Sequence, residues 1–556
     1  MQGVIELHGA KQVLNAGTQR LFPVSEACFL PGDIAVYNSS SGTTTLVRRT
    51  EQKVIAVVLS ISGQTATLCA LNFGPTCPFR LRVAADKYNV SDRLVIKLHS
   101  NSVQGFTVLE RYSNAPAHDV KCLVGMYRSL RPRLAPESTL GHPLYTKPDI
   151  INHNDLMTYT IDPTTSVDFD DAISVDVEHN TVYVHIVDIA NQPVSNQSLQ
   201  RLRSECLTLY LSNEHTEHLL DAGEASFDLS LVVGQERPVI TVKIVLDDEG
   251  LVSSYDIYRS TIVVKYRFDY ATITTDLALG IAPPEIVHLA NLTKKRNSSV
   301  NYSICLPSLR ILSNTETGEV TSVHMEETND VSHSLVATAM ILANLTVSKH
   351  LSDSGIVLPN RFHETLRGMQ VPEDFVSTGN IHVDSFIIVK RYARAYYAVD
   401  KKGHFGLGLK DYVHFTSPMR RYADVLVHRI LAGHTYKDLE SEVSWLNHRA
   451  SLVRSAQDMY VMWKKIRWLK TLPGPHEIWI TGVSKAGILW FMPSLSLNGF
   501  LHVSGLEPKQ FWLYDGARLC GADKTSVLSI GDKLSAVVNT IDENTGEVQL
   551  RLAGSS

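Results

Sequence analysis

The chain has 556 residues, a length that predicts several domains because a single hydrophobic core stops growing near ~250–300 residues. Its composition is ordinary for a globular protein, with 44% hydrophobic and 20% charged residues, and no apolar run approaches the ~20 residues of a membrane span. The N-terminus shows no signal-peptide or transit pattern. Seven scattered cysteines without a Cys-x-x-Cys pair argue against structural zinc and favour a reducing cytoplasmic location, with the nucleus as the alternative.

The net charge of −5 is unevenly distributed along the chain. Residues 151–230 contain 14 acidic and 2 basic residues, a net charge of −12, whereas residues 401–470 contain 13 basic and 6 acidic residues, a net charge of +7. An acidic pocket for metal ions beside a basic surface for a polyanion suits phosphodiester chemistry. Ordinary variation along a helix-rich segment remains the alternative interpretation.

The first 130 residues or so form a series of short apolar stretches punctuated by turns. This spacing predicts one or two small OB-like β-barrels. Such barrels commonly bind single-stranded nucleic acid through aromatic stacking and basic grooves, although a purely structural barrel fits the pattern equally well. Four prolines then predict a linker or irregular strap over residues 131–150.

The next stretch, Tyr159 to Asp176, reads YTIDPTTSVDFDDAISVD and has four aspartates within ten residues: Asp162, Asp168, Asp170 and Asp171. Carboxylates this dense repel one another unless a divalent cation neutralises them. Ligands that are all oxygen indicate Mg²⁺ or Mn²⁺. A calcium EF-hand loop is excluded because Val167 and Ile173 occupy the places of its Gly and Glu. A solvated acidic turn is the other alternative, but apolar residues interleave the aspartates.

Residues 150–470 mix strands with longer helical patterns, including helices over 327–351, 424–431 and 457–469. Pro418 suits the first turn of the second of these helices. Trp463 and Trp468 in the third are expected to pack in a core. The stretch 475–552 predicts a closing five-stranded barrel. Its Phe491, Phe500 and His502 are candidates either for one exposed face or for the core.

A second constellation, His404 to Arg429, reads HFGLGLKDYVHFTSPMRRYADVLVHR. Arg420 and Arg421 follow Pro418 at a predicted helix start, where backbone N–H groups favour anions. Arginine can also hold a phosphate in a bidentate manner. The alternative is a surface arginine pair beside a helical aspartate.

Both constellations resemble motifs of the RNase II/RNase R (RNB) exoribonucleases. The pattern D-P-x-x-x-x-D-x-D-D-A matches residues 162–172, and H-F-T-S-P-[IM]-R-R-Y-x-D-x-x-V-H-R matches residues 414–429 without a gap. The resemblance implies an α+β multidomain protein. Its expected parts are cold-shock-like OB barrels at 1–75 and 76–130, a linker at 131–150, a mixed α/β RNB catalytic domain at 151–472 and a C-terminal RNA-binding OB barrel at 473–556.

The activity implied by this resemblance is Mg²⁺-dependent, processive 3′→5′ hydrolysis of single-stranded RNA to nucleoside 5′-monophosphates, with Mn²⁺ as the alternative ion. By position, Asp162, Asp168, Asp170 and Asp171 would bind the metal, and Asp170 and Arg420 would be the catalytic residues. Arg420 and Arg421 would contact RNA phosphates, and Tyr270 would stack on a base near the 3′ end. A monomer without membrane association is expected.

The chain also departs from the family pattern. Ala337 and Thr338 stand where the family usually has Glu-Glu, and no second aromatic of a base clamp is evident near Arg361 to His363. The lack of an N-terminal endonuclease domain argues against stable exosome docking, and the lack of a basic tail after Leu552 leaves duplex unwinding open. The alternatives to an active exoribonuclease are a catalytically silent RNA-binding scaffold of the same fold and a DNA exonuclease.

Overall fold

We analysed the chain in a computed structural model. The structure describes the following residues: 2–8, 11–15, 21–23, 34–38, 41, 43–48, 53–71, 80–99, 105–128, 138–191, 196–220, 229–297, 305–326, 330–364, 377–400, 403–523 and 525–553.

Two five-stranded antiparallel sheets come first in the chain. The first sheet has the order β3-β2-β1-β4-β5 and the second has the order β10-β9-β6-β7-β8. Their strands are β1 (Gln2–His8), β2 (Lys11–Asn15), β3 (Leu21–Pro23), β4 (Ile34–Asn38), β5 (Thr43–Arg48), β6 (Lys53–Ser62), β7 (Thr65–Ala70), β8 (Arg80–Ala84), β9 (Arg93–Leu98) and β10 (Phe106–Tyr112). Helix α1 (Asp119–Tyr127) follows the second sheet.

The predicted domain boundary at residues 75–76 is wrong, because one sheet runs across it. Strands β6 and β7, which the prediction placed in the first barrel, pair with β9 and β8 of the second. The strand pairing therefore puts the boundary between Arg48 and Lys53. Alternating apolar residues identify a strand, but they do not say which other strand it pairs with.

The central region is built on a seven-stranded mixed sheet with the order β12-β19-β18-β15-β14-β13-β20. Its strands are β12 (Ile151–Asn152), β13 (Thr158–Ile161), β14 (Asp171–Asp176), β15 (Thr181–Val187), β18 (Glu236–Leu246), β19 (Val252–Val263) and β20 (Tyr266–Phe268). The central strands are rich in Val and Ile and are covered on both faces, so they have nearly continuous buried runs.

Short strand pairs and helices surround this sheet. They are β11 (Ser138–Leu140), α2 (Asn196–Glu205), β16 (Leu209–Leu211), β17 (His215–Glu217), α3 (Tyr270–Leu279), α4 (Pro284–Asn297), β21 (Ser308–Ser313), β22 (Val320–Glu326), α5 (Val331–Asp353), β23 (Asn360–Phe362), α6 (Ile381–Val389), β24 (Tyr396–Ala398), α7 (Tyr422–Leu431), β25 (His434–Tyr436) and α8 (Leu439–Thr471). The predicted linker contributes β11, which pairs with β25 and so attaches this segment to the central region.

Helix α5 lies in the main hydrophobic core and packs against α3, α4, β15 and β18. Of the helices that the structure describes, α5 is the one long and apolar enough to cross a membrane by length and composition. About three fifths of its most apolar window (61%) is buried inside the protein. This burial accounts for its apolar composition, because a helix that is hydrophobic all round is typical of a protein core.

The C-terminal barrel has a five-stranded sheet with the order β28-β27-β26-β32-β33 and a small sheet of β29, β30 and β31. The strands are β26 (His476–Ser484), β27 (Gly487–Met492), β28 (Leu497–His502), β29 (Trp512–Tyr514), β30 (Leu519–Gly521), β31 (Val527–Leu528), β32 (Lys533–Asp542) and β33 (Glu547–Leu552). Phe491 is fully buried and stacks on Phe386 of α6, whereas Phe500 is 44% exposed and His502 is also exposed. Trp463 of α8 is fully buried, as expected.

A buried ionic junction joins the second barrel, α1 and α8. Asp119 at the start of α1 is fully buried and pairs with Arg93 of β9 (2.6 Å), with Lys464 of α8 (3.6 Å) and with Arg467 of α8. Arg467 also reaches Glu543 in the turn between β32 and β33 of the C-terminal barrel. This ionic network therefore joins the second barrel, α8 and the C-terminal barrel.

Candidate active site

The acidic loop (Asp162 to Asp170) connects two neighbouring strands of the central sheet. Because β13 and β14 are antiparallel partners, the end of β13 and the start of β14 lie at the same edge. Asp162 directly follows β13, and Asp171 is the first residue of β14. The pairing of β13 with β14 therefore brings Asp162 close to Asp170 and Asp171.

These three carboxylates are placed away from water and beside one another. Burial, and then the charge of Asp170, raises the pKa of Asp162 to about 6. Burial raises the pKa of Asp170 to about 7 despite the opposing effects of Arg420 and the Met419 N–H, and Asp171 adds to the rise. Burial, and then Asp162, raises the pKa of Asp171 to about 7. The neighbouring cationic and N–H groups therefore offset the negative charge of these carboxylates only in part.

The arginine motif meets this cluster across 249 residues of sequence. The backbone N–H of Met419 donates to Oδ1 of Asp170 at 2.8 Å, and Nε of Arg420 lies 3.5 Å from Oδ2 of the same carboxylate. Arg420 Nη2 also donates to Oγ of Ser417 at 3.0 Å. The Arg420 side chain remains 49% exposed, so the guanidinium can reach an anion in front of the aspartates.

Arg421 points to a different environment from Arg420. Its Nε and Nη2 donate to the two oxygens of the buried Asp424 at 2.9 and 2.7 Å. Asp424 also accepts the backbone N–H of Ser417 at 2.8 Å, which fixes the turn that carries Arg420. The predicted contact of Arg421 with RNA stays a prediction, and in this structure its guanidinium has a protein partner.

The expected position of Pro418 in the first turn of a helix is wrong. Helix α7 begins at Tyr422, and residues 417–421 form a turn before it. Within this turn, the backbone N–H of Met419 is bonded to Asp170. The motif was visible in the sequence, but its local conformation depends on a contact with a distant carboxylate.

The fourth predicted ligand, Asp168, lies slightly apart from the other three. Its Oδ2 is 2.7 Å from Nδ1 of His218, and this hydrogen bond raises the pKa of the imidazole. His218 follows β17 and lies 50 residues further along the chain. No signal in the sequence points to His218, because a lone histidine far from a motif gives no spacing pattern.

The chemistry of this donor set fits a divalent cation. It consists of carboxylate oxygens. Asp170 is buried and Asp162 and Asp171 are partly buried, and the pKa values of all three are raised by burial and by each other, as expected where a positive ion would offset the charge. Within the described ranges, no three His, Cys, Asp or Glu side chains converge closely enough to surround an ion. The carboxylates would therefore have to close in on the cation when it binds.

Tyr270 is the first residue of α3, which Asp269 caps by accepting the N–H of Thr272 at 2.9 Å. Its ring stacks on His333 of α5 with centroids 3.8 Å apart and an interplanar angle of 12°. His333 in turn bonds Asp330 at 2.7 Å. The aromatic partner of Tyr270 in this structure is therefore His333. Phe362, which lies in the segment where a second aromatic of the base clamp was sought, contacts Tyr396 instead.

A comparison with protein-family models matches residues 151–437 to the RNB domain. The chain belongs to the RNB family. Two similar proteins are ribonuclease R of Aquifex aeolicus, 27% identical over 71% of this chain, and ribonuclease R of Chlamydia muridarum, 26% identical over 84% of it. This RNB chain spans 64% of the length of the first relative and 76% of the second.

Solved structures show the same fold. Mycoplasma genitalium RNase R in complex with ribose methylated single-stranded RNA matches with a TM-score of 0.80 over 100% of both chains, at 18% identity. Yeast Ssd1, a pseudonuclease, matches with a TM-score of 0.70 over 93% of this chain and 80% of its own, at 15% identity. The predicted family and the predicted α+β multidomain fold class are therefore confirmed for this RNB protein.

Proposed function

We propose that the chain is a 3′→5′ exoribonuclease that requires Mg²⁺, with Mn²⁺ as the alternative ion, and degrades single-stranded RNA processively to nucleoside 5′-monophosphates. The observation that carries the proposal is the meeting of Asp162, Asp170 and Asp171 with the half-exposed Arg420 at one sheet edge. Family membership and the similarity to two ribonuclease R proteins support RNA as the substrate.

In this proposal each residue of the site has a distinct role. Asp162, Asp168, Asp170 and Asp171 would hold the metal, which when bound activates water and neutralises the leaving oxygen. Arg420 binds a phosphoryl oxygen and stabilises the negative charge that develops on it. The Met419 N–H fixes the orientation of the Asp170 carboxylate. Tyr270 presents its ring beside the site, where a terminal base can stack.

A catalytically silent RNA-binding scaffold is the second candidate. The similarity to a pseudonuclease of the same fold favours it, as does the absence of three converging ligands in the described part of the chain. All four aspartates and Arg420 are nevertheless present, and a silent descendant would be free to lose them. Monomeric state and cytoplasmic location remain predictions.

The test uses 5′-labelled single-stranded RNA, with and without EDTA, and the variant Asp170→Asn. In Mg²⁺ we expect the labelled strand to be converted to short end products without a ladder of intermediate lengths. We expect no reaction in EDTA. The variant Asp170→Asn should still bind RNA but should not hydrolyse it. Asp176→Asn is a matched control, because Asp176 lies in the same acidic stretch but bonds His179 instead of the site.

Full turnover by Asp170→Asn in Mg²⁺ would refute the site assignment. RNA binding without any turnover by the wild-type chain would favour the silent scaffold. An all-deoxy strand degraded as fast as RNA would favour a DNA exonuclease, since a contact with the 2′-hydroxyl should favour ribose.

A further inference from the structure

We propose that Arg267 is a positioning residue that holds the acidic loop in the shape required for metal binding. The inference rests on the proposed function, since it concerns the same loop. Arg267 is the middle residue of β20, the edge strand of the central sheet. It is not one of the residues predicted to touch the metal, the phosphate or the base.

The contacts of Arg267 are concentrated on one short segment. Its Nη2 lies 3.2 Å from the carbonyl oxygens of Pro163, Thr164 and Ser166. Its guanidinium carbon also lies 4.6 Å from the centre of the Phe169 ring. These four contacts span the loop from the residue after Asp162 to the residue before Asp170.

Other contacts hold mainly the second half of the loop: His218 pairs with Asp168 at 2.7 Å, and Leu231 N–H donates to Phe169 O at 3.1 Å. Ser166 N–H bonds Pro163 O at 3.0 Å, and Phe169 N–H donates to Oγ of Ser230 at 2.9 Å. In the first half of the loop, the carbonyl groups of Pro163, Thr164 and Ser166 all turn toward Nη2 of Arg267. Without a cation at that point the carbonyl dipoles would repel each other, and fixing the backbone of each residue costs conformational entropy. Arg267 therefore determines how the aspartates at the two ends of the loop are spaced.

The charge of Arg267 acts in the same direction as its geometry. Its guanidinium places a positive charge beside the loop that carries the aspartates. A guanidinium near the loop thus favours the ionised carboxylate that a metal needs. The guanidinium of Arg267 approaches the loop from the side of its carbonyl groups. Among the described residues, it makes no ion pair with an aspartate of the cluster.

Strand β20 also connects the loop to the nucleotide side of the site. It pairs in parallel with β13, and Asp162 N–H donates to Phe268 O at 3.1 Å. Tyr270 follows two residues after Phe268. The same short segment therefore carries the residue that shapes the acidic loop and the residue predicted to stack on a base.

A purely structural role predicts a different outcome from a positioning role. Arg267 is exposed, and exposed charged contacts contribute little to folding stability. Its removal should leave the protein folded with a nearly unchanged melting temperature. Residues that orient metal ligands, by contrast, typically change metal affinity by about 10- to 100-fold.

The experiment measures Mn²⁺ binding to the full chain by electron paramagnetic resonance, without RNA. We expect Arg267→Ala to weaken Mn²⁺ binding by about 10- to 100-fold, and Arg267→Lys to lie in between, because one ammonium cannot reproduce the planar donor group. Arg518→Ala is the matched control, since Arg518 is an exposed arginine in the C-terminal barrel that pairs with Asp515. RNA binding in EDTA should change less than twofold.

Equal Mn²⁺ affinity in wild type and Arg267→Ala would overturn the inference while leaving the proposed function intact. No Mn²⁺ binding by the wild-type chain would overturn both. If circular dichroism shows that Arg267→Ala is unfolded, the role is structural and the inference fails, unless Arg267→Gln folds and shows the expected loss of Mn²⁺ affinity. A lower Mn²⁺ affinity with an unchanged melting temperature supports positioning.

Discussion

Arg420 and Arg421 are adjacent in sequence, but their guanidinium groups differ in partner and exposure. Arg420 is half exposed and touches Asp170 at 3.5 Å, whereas Arg421 is committed to the buried Asp424. The sequence identified both as phosphate ligands, because the motif gives residue types and not side-chain directions. Which arginine faces the aspartates depends on the turn at 417–421, and that turn is fixed by tertiary hydrogen bonds.

The two arginines should therefore respond differently to truncation. Arg420→Ala should lower the hydrolysis rate by about 10²- to 10³-fold, as when a charge-stabilising donor is lost, with little change in stability. Arg421→Ala should lower the free energy of unfolding by ~3–5 kcal/mol, because Asp424 is left buried and unpaired. Single-turnover assays and urea unfolding of both variants check this, and equal stabilities would contradict it.

The raised pKa values of Asp170 and Asp171 predict how the metal-free protein responds to pH. Both pKa values lie near 7 when folded and near 3.8 otherwise, so the folded chain binds more protons between these values. Stability must then fall as pH rises from about 4 to about 7. Between pH 5 and pH 8 in EDTA, we expect the free energy of unfolding to fall less for Asp171→Asn than for the wild type.

Metal should reverse this effect, since a cation binds the ionised carboxylates. Adding Mg²⁺ at pH 8 should raise the melting temperature of the wild type more than that of Asp171→Asn. Asp176→Asn, which changes a residue bonded to His179, should behave like the wild type. Identical pH profiles for Asp171→Asn and the wild type would contradict the pKa assignment.

At the scale of elements, helix α5 fixes the segment that carries the arginine motif. Asn344 is buried on α5, accepts the N–H of Phe415 at 2.7 Å and donates to the hydroxyl of Tyr412 at 3.1 Å. The helical spacing predicted α5 as an element, and the structure places it at Val331–Asp353. Its contact with the motif could not be predicted, because sequence periodicity shows which side of a helix is buried but not what lies against it.

Replacing Asn344 tests this contact. Asn344→Ala leaves the Phe415 N–H buried without a partner, which should lower the free energy of unfolding by about 1–3 kcal/mol. The hydrolysis rate should also fall, because the motif is no longer held against α5. Lys349→Ala, an exposed residue of the same helix, is the control for urea unfolding and RNA hydrolysis. A variant as stable as this control would contradict the role.

Strand β27 shows a related limit of prediction from alternation. Trp490, Phe491 and Met492 are all fully buried, although consecutive residues of a strand point to opposite faces. Helix α6 covers the outer face, where Phe386 stacks on Phe491 at 4.2 Å. Phe500 of β28 has no such cover and stays exposed, so the choice between exposed face and core required knowledge of the neighbouring domain.

At the scale of the whole molecule, the two catalytic motifs and the order of domains were predictable, whereas the first barrel boundary and the interdomain contacts were not. The buried carboxylate of Asp119 is a contact of this kind, because its partners Arg93, Lys464 and Arg467 are scattered over the chain. No local pattern marks a residue whose importance comes from partners on β9 and on the distant helix α8.

Asp119→Ala should therefore destabilise several domains at once. It leaves the fully buried Arg93 without its carboxylate partner, whereas Lys464 keeps Glu214 at 2.5 Å. The uncompensated charge of Arg93 should cost ~3–5 kcal/mol. We expect urea unfolding to begin earlier in the second barrel and in the C-terminal part of α8, as measured by hydrogen exchange. Asp458→Ala, an exposed residue of α8, is the control, and exchange that matches this control would contradict the prediction.

The 33-residue helix α8 has a consequence for how this chain can change in evolution. Its first half carries Arg449, which pairs with Glu205 at 2.7 Å, and its second half carries Lys464 and Arg467, which face Asp119. Each added or deleted residue between them would rotate the second half by about 100° and shift it by about 1.5 Å along the axis. Insertions and deletions should therefore be excluded from this segment of α8, while nearby exposed turns tolerate them. Relatives that keep the contacts at both ends of the segment must also keep the number of residues between them.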